Sequence, residues 1–153
     1  NGAVNPKPNG EVDFRTGAGH VHIGWTSGMD ISDKGHLEAC IMLTKQLDFY
    51  LGLSSLLWDK DTKRRTMYGA PGAFRPKPYG VEYRVLSNAW LQSPRLMKWV
   101  FNATKKAVDD LFNGRSVVGT DGMTLKNLHT VMKGNHNGWV KQRVEIMGLE
   151  LPV

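Results

Sequence analysis

Gly80-Val81-Glu82-Tyr83-Arg84-Val85-Leu86 is the stretch from which the fold is read. Successive side chains on a strand point to opposite faces, so Val81, Tyr83 and Val85 share one side and Glu82 and Arg84 share the other. The first set is apolar and rich in β-branched and aromatic residues, which suits a half-buried strand. The second sets a carboxylate beside a guanidinium. His20-Val21-His22-Ile23-Gly24-Trp25 repeats the division, with His20 and His22 on one face and Val21 and Ile23 on the other. One face of each strand carries chemistry and the opposite face carries core.

Between and beyond these strands the apolar period lengthens to that of a helix. Leu37, Cys40, Ile41, Thr44, Leu47 and Leu51 form one stripe, with Asp33 as cap and Gly52 as stop. Leu96, Val100, Ala103, Ala107 and Leu111 form another, opened by Ser93-Pro94 and closed by Gly114. Shorter helices are expected over Thr124–Lys133 and Trp139–Met147. The segment Asp59–Pro78, basic and punctuated by Gly and Pro, reads as loop. Residues 1–19 read as an extended arm or loop, and residues 20–153 as part of a single domain. The expected class is α+β, with helices covering one face of a mostly antiparallel sheet. His20, His22, Glu82 and Arg84 then lie on the uncovered face.

The composition, 41% hydrophobic and 22% charged over 153 residues, is that of one globular domain. No run of about 18 apolar residues is present and the first residues lack a signal-peptide pattern, so we expect a cytoplasmic protein without membrane partners. The single Cys40 excludes a disulfide framework and a thiolate metal site, and its place on the first helical stripe makes it a core residue. Twenty Lys and Arg against fourteen Asp and Glu leave a net charge of +6, which favours polyanions. Nucleic acid and the phosphates of a nucleotide both satisfy that charge.

His20 and His22, about 7 Å apart along a strand, are either metal ligands or polar residues on a solvated face. Glu82 can hold Mg²⁺ through oxygen, and guanidinium groups grip phosphate oxygens in a planar fork. Arg64, Arg65, Arg75, Lys77 and Arg84 fall within 21 positions, a density that suits a polyphosphate clamp or, more plainly, a basic loop with a cross-strand ion pair. Aromatic residues interleave with them: Tyr68, Phe74, Tyr79 and Tyr83. Stacking plus phosphate contact is the recipe for binding single-stranded nucleic acid. Against it, Tyr83 belongs to the core face and Glu82 repels a phosphate backbone.

Three quoted runs carry a resemblance: Arg15-Thr16-Gly17-Ala18-Gly19-His20-Val21-His22-Ile23-Gly24, then Leu47-Asp48-Phe49-Tyr50-Leu51-Gly52, then the block from Arg64 to Asn88. Together they resemble the phage-type COOH–NH2 ligases, or amidoligases, a family related to glutamine synthetase. The likeness runs in order from about residue 5 to about residue 115 and is loose after Gly114. It implies a glutamine synthetase-like sheet and ATP-dependent amide formation, in which a carboxylate takes the γ-phosphate and an amine then displaces phosphate from the acyl phosphate. It implies ATP and Mg²⁺, with His20 and Glu82 as metal ligands and His22 on the nucleotide side. Arg75 and Arg84 are then contacts to the transferred phosphate, Lys77 joins the nucleotide set, and Arg64 or Arg65 holds substrate carboxylate or the β-phosphate. Relatives carry further metal-binding glutamates on an earlier strand, whereas Glu11 and Asp13 here stand in a loop. The expectation is therefore a carboxy-terminal part of the full domain, completed by an amino-terminal half or another subunit. The alternative from a different class is a basic, non-enzymatic nucleic-acid-binding or phage structural module.

Overall fold

The computed structural model describes residues 17–134 and 136–152. The expected arm over residues 1–19 therefore lies largely outside the described residues, and Gly17–Gly19 carry no regular structure. In chain order the elements are β1 (Val21–Gly24), α1 (Lys34–Leu47), α2 (Thr62–Met67), β2 (Phe74–Lys77), β3 (Gly80–Tyr83), α3 (Pro94–Phe112), α4 (Leu125–Met132) and α5 (Asn137–Ile146). A π-helical turn, Asp48–Leu53, continues α1, and a 3₁₀ turn, Asn88–Gln92, precedes α3. The strands form an antiparallel sheet in the order β1-β3-β2. The protein is α+β, as the alternating patterns require.

Helix starts follow the capping residues. Asp33 Oδ1 accepts from the His36 N–H at 2.7 Å, and Ser93 Oγ accepts from the Leu96 N–H at 3.4 Å with Pro94 in the first turn. Each supplies an acceptor to a backbone donor that has no partner within its helix. Val81 and Tyr83 of β3 are fully buried in one core with Cys40, Leu43 and Leu47 of α1 and Val100, Ala103 and Ala107 of α3. Cys40 is a core residue, at 0% exposure.

Four expectations are corrected. Gly52 does not stop the first helix: the chain stays helical to Leu53 with a widened turn. A Cβ at Gly52 would stand 2.9 Å from Tyr83 Oη, so this glycine permits helix and sheet to meet closely. The segment Asp59–Pro78 is not all loop, because Asp61 caps the short α2 and Phe74–Lys77 pairs along β3. Pro76 sits in β2, an edge strand, where a missing N–H is tolerated. The flanking strands are also shorter than read: β1 ends at Gly24 and β3 at Tyr83. Finally, the buried stripe of α1 is rotated, since His36, Leu43 and Gln46 are buried while Leu37 and Ile41 are only half-buried.

Gln46 and Asp110 are buried polar residues of the helical layer that find partners. Gln46, at 0% exposure, donates to the Arg115 carbonyl at 3.0 Å and accepts from the Val117 N–H at 3.0 Å, fixing the chain that leaves α3. Asp110 accepts from Tyr50 Oη at 2.6 Å and lies 3.1 Å from Lys106 Nζ and 2.8 Å from Arg115. Burial alone would raise this carboxyl, but hydrogen bonds from Tyr50, Arg115 and Lys106 outweigh it and bring it down to about 2.

Candidate functional site

Register alone brings the chemical residues together. His22 stands opposite Glu82 across β1 and β3, and Arg75 stands opposite Glu82 from the other side. Residues paired across a sheet point the same way, so one face carries the row His22, Glu82, Arg75. The Pro78-Tyr79 turn between β2 and β3 is what sets this register. His20 enters one residue before β1, and Arg84 leaves one residue after β3.

Glu82 is the hub. Its Oε1 lies 2.9 Å from His20 Nδ1 and 3.7 Å from Arg84 Nε. Its Oε2 lies 3.2 Å from Lys77 Nζ and 3.7 Å from an Arg75 terminal nitrogen. The carboxylate is 5% exposed, whereas Arg75 keeps its side chain about half exposed. Burial pushes the Glu82 carboxyl up, but the Lys77 hydrogen bond and the charges of Arg75, Arg84 and Lys77 prevail and hold it below the usual range. Three permanent cations thus share one carboxylate. The surplus positive charge faces outward from the sheet.

His20 is tuned by the same neighbours. Burial lowers its pKa first, the Arg84 charge lowers it further, and the Glu82 carboxylate opposes both. An ionised carboxylate can only accept, so Nδ1 carries the proton and Nε2 presents a lone pair. This is the orientation a carboxylate imposes on a metal-binding imidazole. His22 is exposed, and its Nδ1 meets the Tyr79 hydroxyl.

The sequence candidates divide into two groups. His20, His22, Arg75, Lys77, Glu82 and Arg84 come together on the sheet face. Arg64 and Arg65 do not join them. Arg64 is 6% exposed, and its two terminal nitrogens donate at 2.9 Å to the carbonyls of Val85 and Leu86, where β3 leaves the sheet. Arg65 donates to the Asp59 carbonyl and lies 3.8 Å from its carboxylate. Tyr83, one of the interleaved aromatics, is 0% exposed and offers no ring for stacking. Tyr79 is the residue that strand-face reasoning missed beside His22. Its position at a hairpin turn, opposite the end of β1, was the available signal.

Among the described residues no group of three or more His, Cys, Asp or Glu is placed to hold a metal ion. Mg²⁺ keeps several waters and commonly takes one or two carboxylates plus phosphate oxygens. Glu82, with His20 beside it, fits that minimal role when phosphate supplies the other oxygens. Arg75, Lys77 and Arg84 are cations of the kind that can hold phosphate oxygens. Beside the same strand, between β1 and α3, lies a cleft of about 650 Å³ with Trp90, Met97, Val100 and Phe101 in its walls. No helix among the described residues is long and apolar enough to cross a membrane.

Residues 1–122 match the family described as Phage phiEco32-like COOH.NH2 ligase-type 2. No curated protein and no solved structure matches the chain.

Proposed function

This chain belongs to the phage phiEco32-like COOH.NH2 ligase-type 2 family, and from that premise we propose that it is an ATP-dependent carboxylate–amine ligase working through an acyl phosphate. The observation that carries the reading is a buried carboxylate, Glu82, ringed by His20, Arg75, Lys77 and Arg84 on one sheet face. Phosphoryl transfer asks a protein chiefly to position its reactants and to neutralise charge on the transferring group. Arg75, Arg84 and Lys77 bind the phosphate chain of ATP in this reading, and His22 lies on the nucleotide side. A carboxylate oxygen of the acid attacks the γ-phosphorus and ADP leaves. The amine nitrogen then attacks the acyl carbon, phosphate departs, and the nitrogen gives up a proton.

Glu82 through its carboxylate, or His20 through Nε2, would hold Mg²⁺, whose charge screens the phosphate oxygens when it is bound. Further carboxylates from an amino-terminal half or a second subunit complete its coordination in this reading, within a glutamine synthetase-like sheet. A cytoplasmic site agrees with the ATP requirement.

Calorimetric titration of the full chain with ATP, with and without Mg²⁺, tests the proposal, together with hydroxylamine trapping of an acyl phosphate in the presence of candidate acids. Mg²⁺-dependent binding that Arg84→Ala abolishes is the expected result. Salt-sensitive binding of a single-stranded oligonucleotide, with no ATP binding, would replace the ligase with the nucleic-acid module.

A further inference from the structure

The β2–β3 hairpin turns through Lys77, Pro78, Tyr79 and Gly80, and the carbonyl of each accepts a bond from the segment that follows β1. The Trp25 and Thr26 N–H groups donate to the Tyr79 carbonyl at 2.8 and 3.1 Å, and the Met29 N–H donates to that of Pro78 at 3.1 Å. The Cys40 thiol reaches the Gly80 carbonyl at 3.5 Å. His36 Nε2 lies 2.8 Å from the Lys77 carbonyl. A carbonyl can only accept, so Nε2 carries the proton.

His36 stands in the first turn of α1, where the Asp33 carboxylate accepts its backbone N–H at 2.7 Å. The residue is 4% exposed, and its ring centroid lies 5.6 Å from that of Trp25. Nδ1 is buried with no hydrogen-bond partner among the described residues. A buried nitrogen left unpaired costs stability. Phenylalanine would fill the same space without that cost, so what the histidine adds is the Nε2 donor.

That donor acts where the sheet is least secured. β2 is an edge strand, Lys77 is its last residue, and Pro76 before it brings no N–H to the ladder. The Lys77 ammonium nonetheless lies 3.2 Å from Glu82 Oε2, with its side chain 27% exposed. Tyr79, two residues on, meets His22 Nδ1 through its hydroxyl. The turn thus delivers two side chains to the site. An ammonium already held in place loses less freedom when it binds an anion.

We propose that His36 is a positioning residue for the cationic face: by holding the Lys77 carbonyl it fixes the hairpin and sets the Lys77 ammonium beside Glu82. It works from the side of the sheet that α1 covers and touches no ligand. The proposal rests on the reading of that face as a phosphate site, and the experiment separates the two.

The probe is inorganic tripolyphosphate without Mg²⁺, titrated calorimetrically into the full chain. His36→Phe should weaken its binding about tenfold, while His36→Gln, whose amide can present an N–H in place of Nε2, should stay within about threefold of wild type. In a Lys77→Ala background His36→Phe should change affinity by less than about twofold, whereas in an Arg84→Ala background it should keep its full effect. Nitrogen-15 spectra of the wild-type imidazole should place the proton on Nε2. A general loosening of the fold would weaken binding alike with and without Lys77, so equal losses in the two backgrounds overturn the proposal even where His36→Phe melts at a lower temperature. A proton on Nδ1 overturns it without any variant. Binding that Arg84→Ala weakens and His36→Phe leaves unchanged overturns it and spares the phosphate site. Failure of the wild type to bind tripolyphosphate overturns the phosphate site and this proposal together.

Discussion

Tyr83 Oη donates a 2.9 Å hydrogen bond to Asp48 Oδ1 in the interior, where the π-helical turn meets β3. Asp48 is 1% exposed. Burial pushes its carboxyl up to about 7, although hydrogen bonds from Tyr83 and the Gly72 N–H pull the other way. The folded protein therefore holds this proton more tightly than the unfolded chain, whose carboxyl titrates near 3.8. Its contribution to stability is fully present below that unfolded value and is lost as pH rises through about 7. We expect Asp48→Asn to flatten the stability profile between pH 4 and 7, so that the variant gains on the wild type across that range by at most about 4 kcal/mol and keeps the gain above it. Urea unfolding of both proteins across this range measures the difference. A constant difference would show that Asp48 does not titrate there.

Glu82 has the opposite sign. Its carboxyl is held below the usual range, so its contribution is present above the unfolded value and disappears as pH falls through the folded one. Glu82→Gln should cost about 1–2 kcal/mol at neutral pH, a figure reduced because Arg75 is half in solvent. The same substitution should deepen the positive potential of the sheet face. Inorganic tripolyphosphate without Mg²⁺ should then bind more tightly to the variant than to the wild type, while the Mg²⁺ enhancement of ATP binding is lost.

Two arginines from one basic stretch should separate under mutation. Arg84→Ala leaves the core untouched and should weaken ATP binding by about 10- to 100-fold, with little change in melting temperature. Arg64→Ala removes two donors from the Val85 and Leu86 carbonyls and should destabilise by about 1–3 kcal/mol. ATP affinity of the folded Arg64 variant should stay near wild type. Equal losses of affinity in both variants would return Arg64 to the nucleotide site.

Gly52→Ala tests why a glycine lies inside a helix. The added methyl group meets Tyr83 Oη at 2.9 Å and Val85 at 3.5 Å, so the ordinary helical gain of alanine is reversed. A loss of about 1–3 kcal/mol is expected from overpacking. Pairing the change with Tyr83→Phe should relieve part of it, and a double-mutant cycle reads the coupling. Simple additivity would mean that the two sites do not press on each other.

Much of this site was legible because β-structure has a period of two. His20, His22, Glu82 and Arg84 were grouped from alternation alone, and Tyr83 went to the core for the same reason. Lys77 and Arg75 join them through the hairpin register, which a turn of Pro78 and Tyr79 sets and which alternation does not specify. Arg64 and Arg65 show what charge alone leaves open. A guanidinium satisfies backbone carbonyls as readily as phosphates, and only the fold says which oxygens lie within reach. Gly52 misled for a similar reason, since close approach and helix termination ask for the same residue. His36 and Gln46 were passed over because polar side chains are seldom buried unless hydrogen-bonded, and their partners lie 41 and 69 residues away.

The link between the first long helix and the chain leaving the third depends on an amide with no proton to gain or lose. Gln46 binds the backbone at Arg115 and Val117 through neutral groups, whereas Asp110 nearby binds Tyr50, Lys106 and Arg115 through a charge that strong acid removes. As acid is added, the ionic fastening of this corner lets go first and the amide fastening stays. The chain leaving the third helix should thus stay fastened to the first under conditions in which Asp110 no longer helps to hold it.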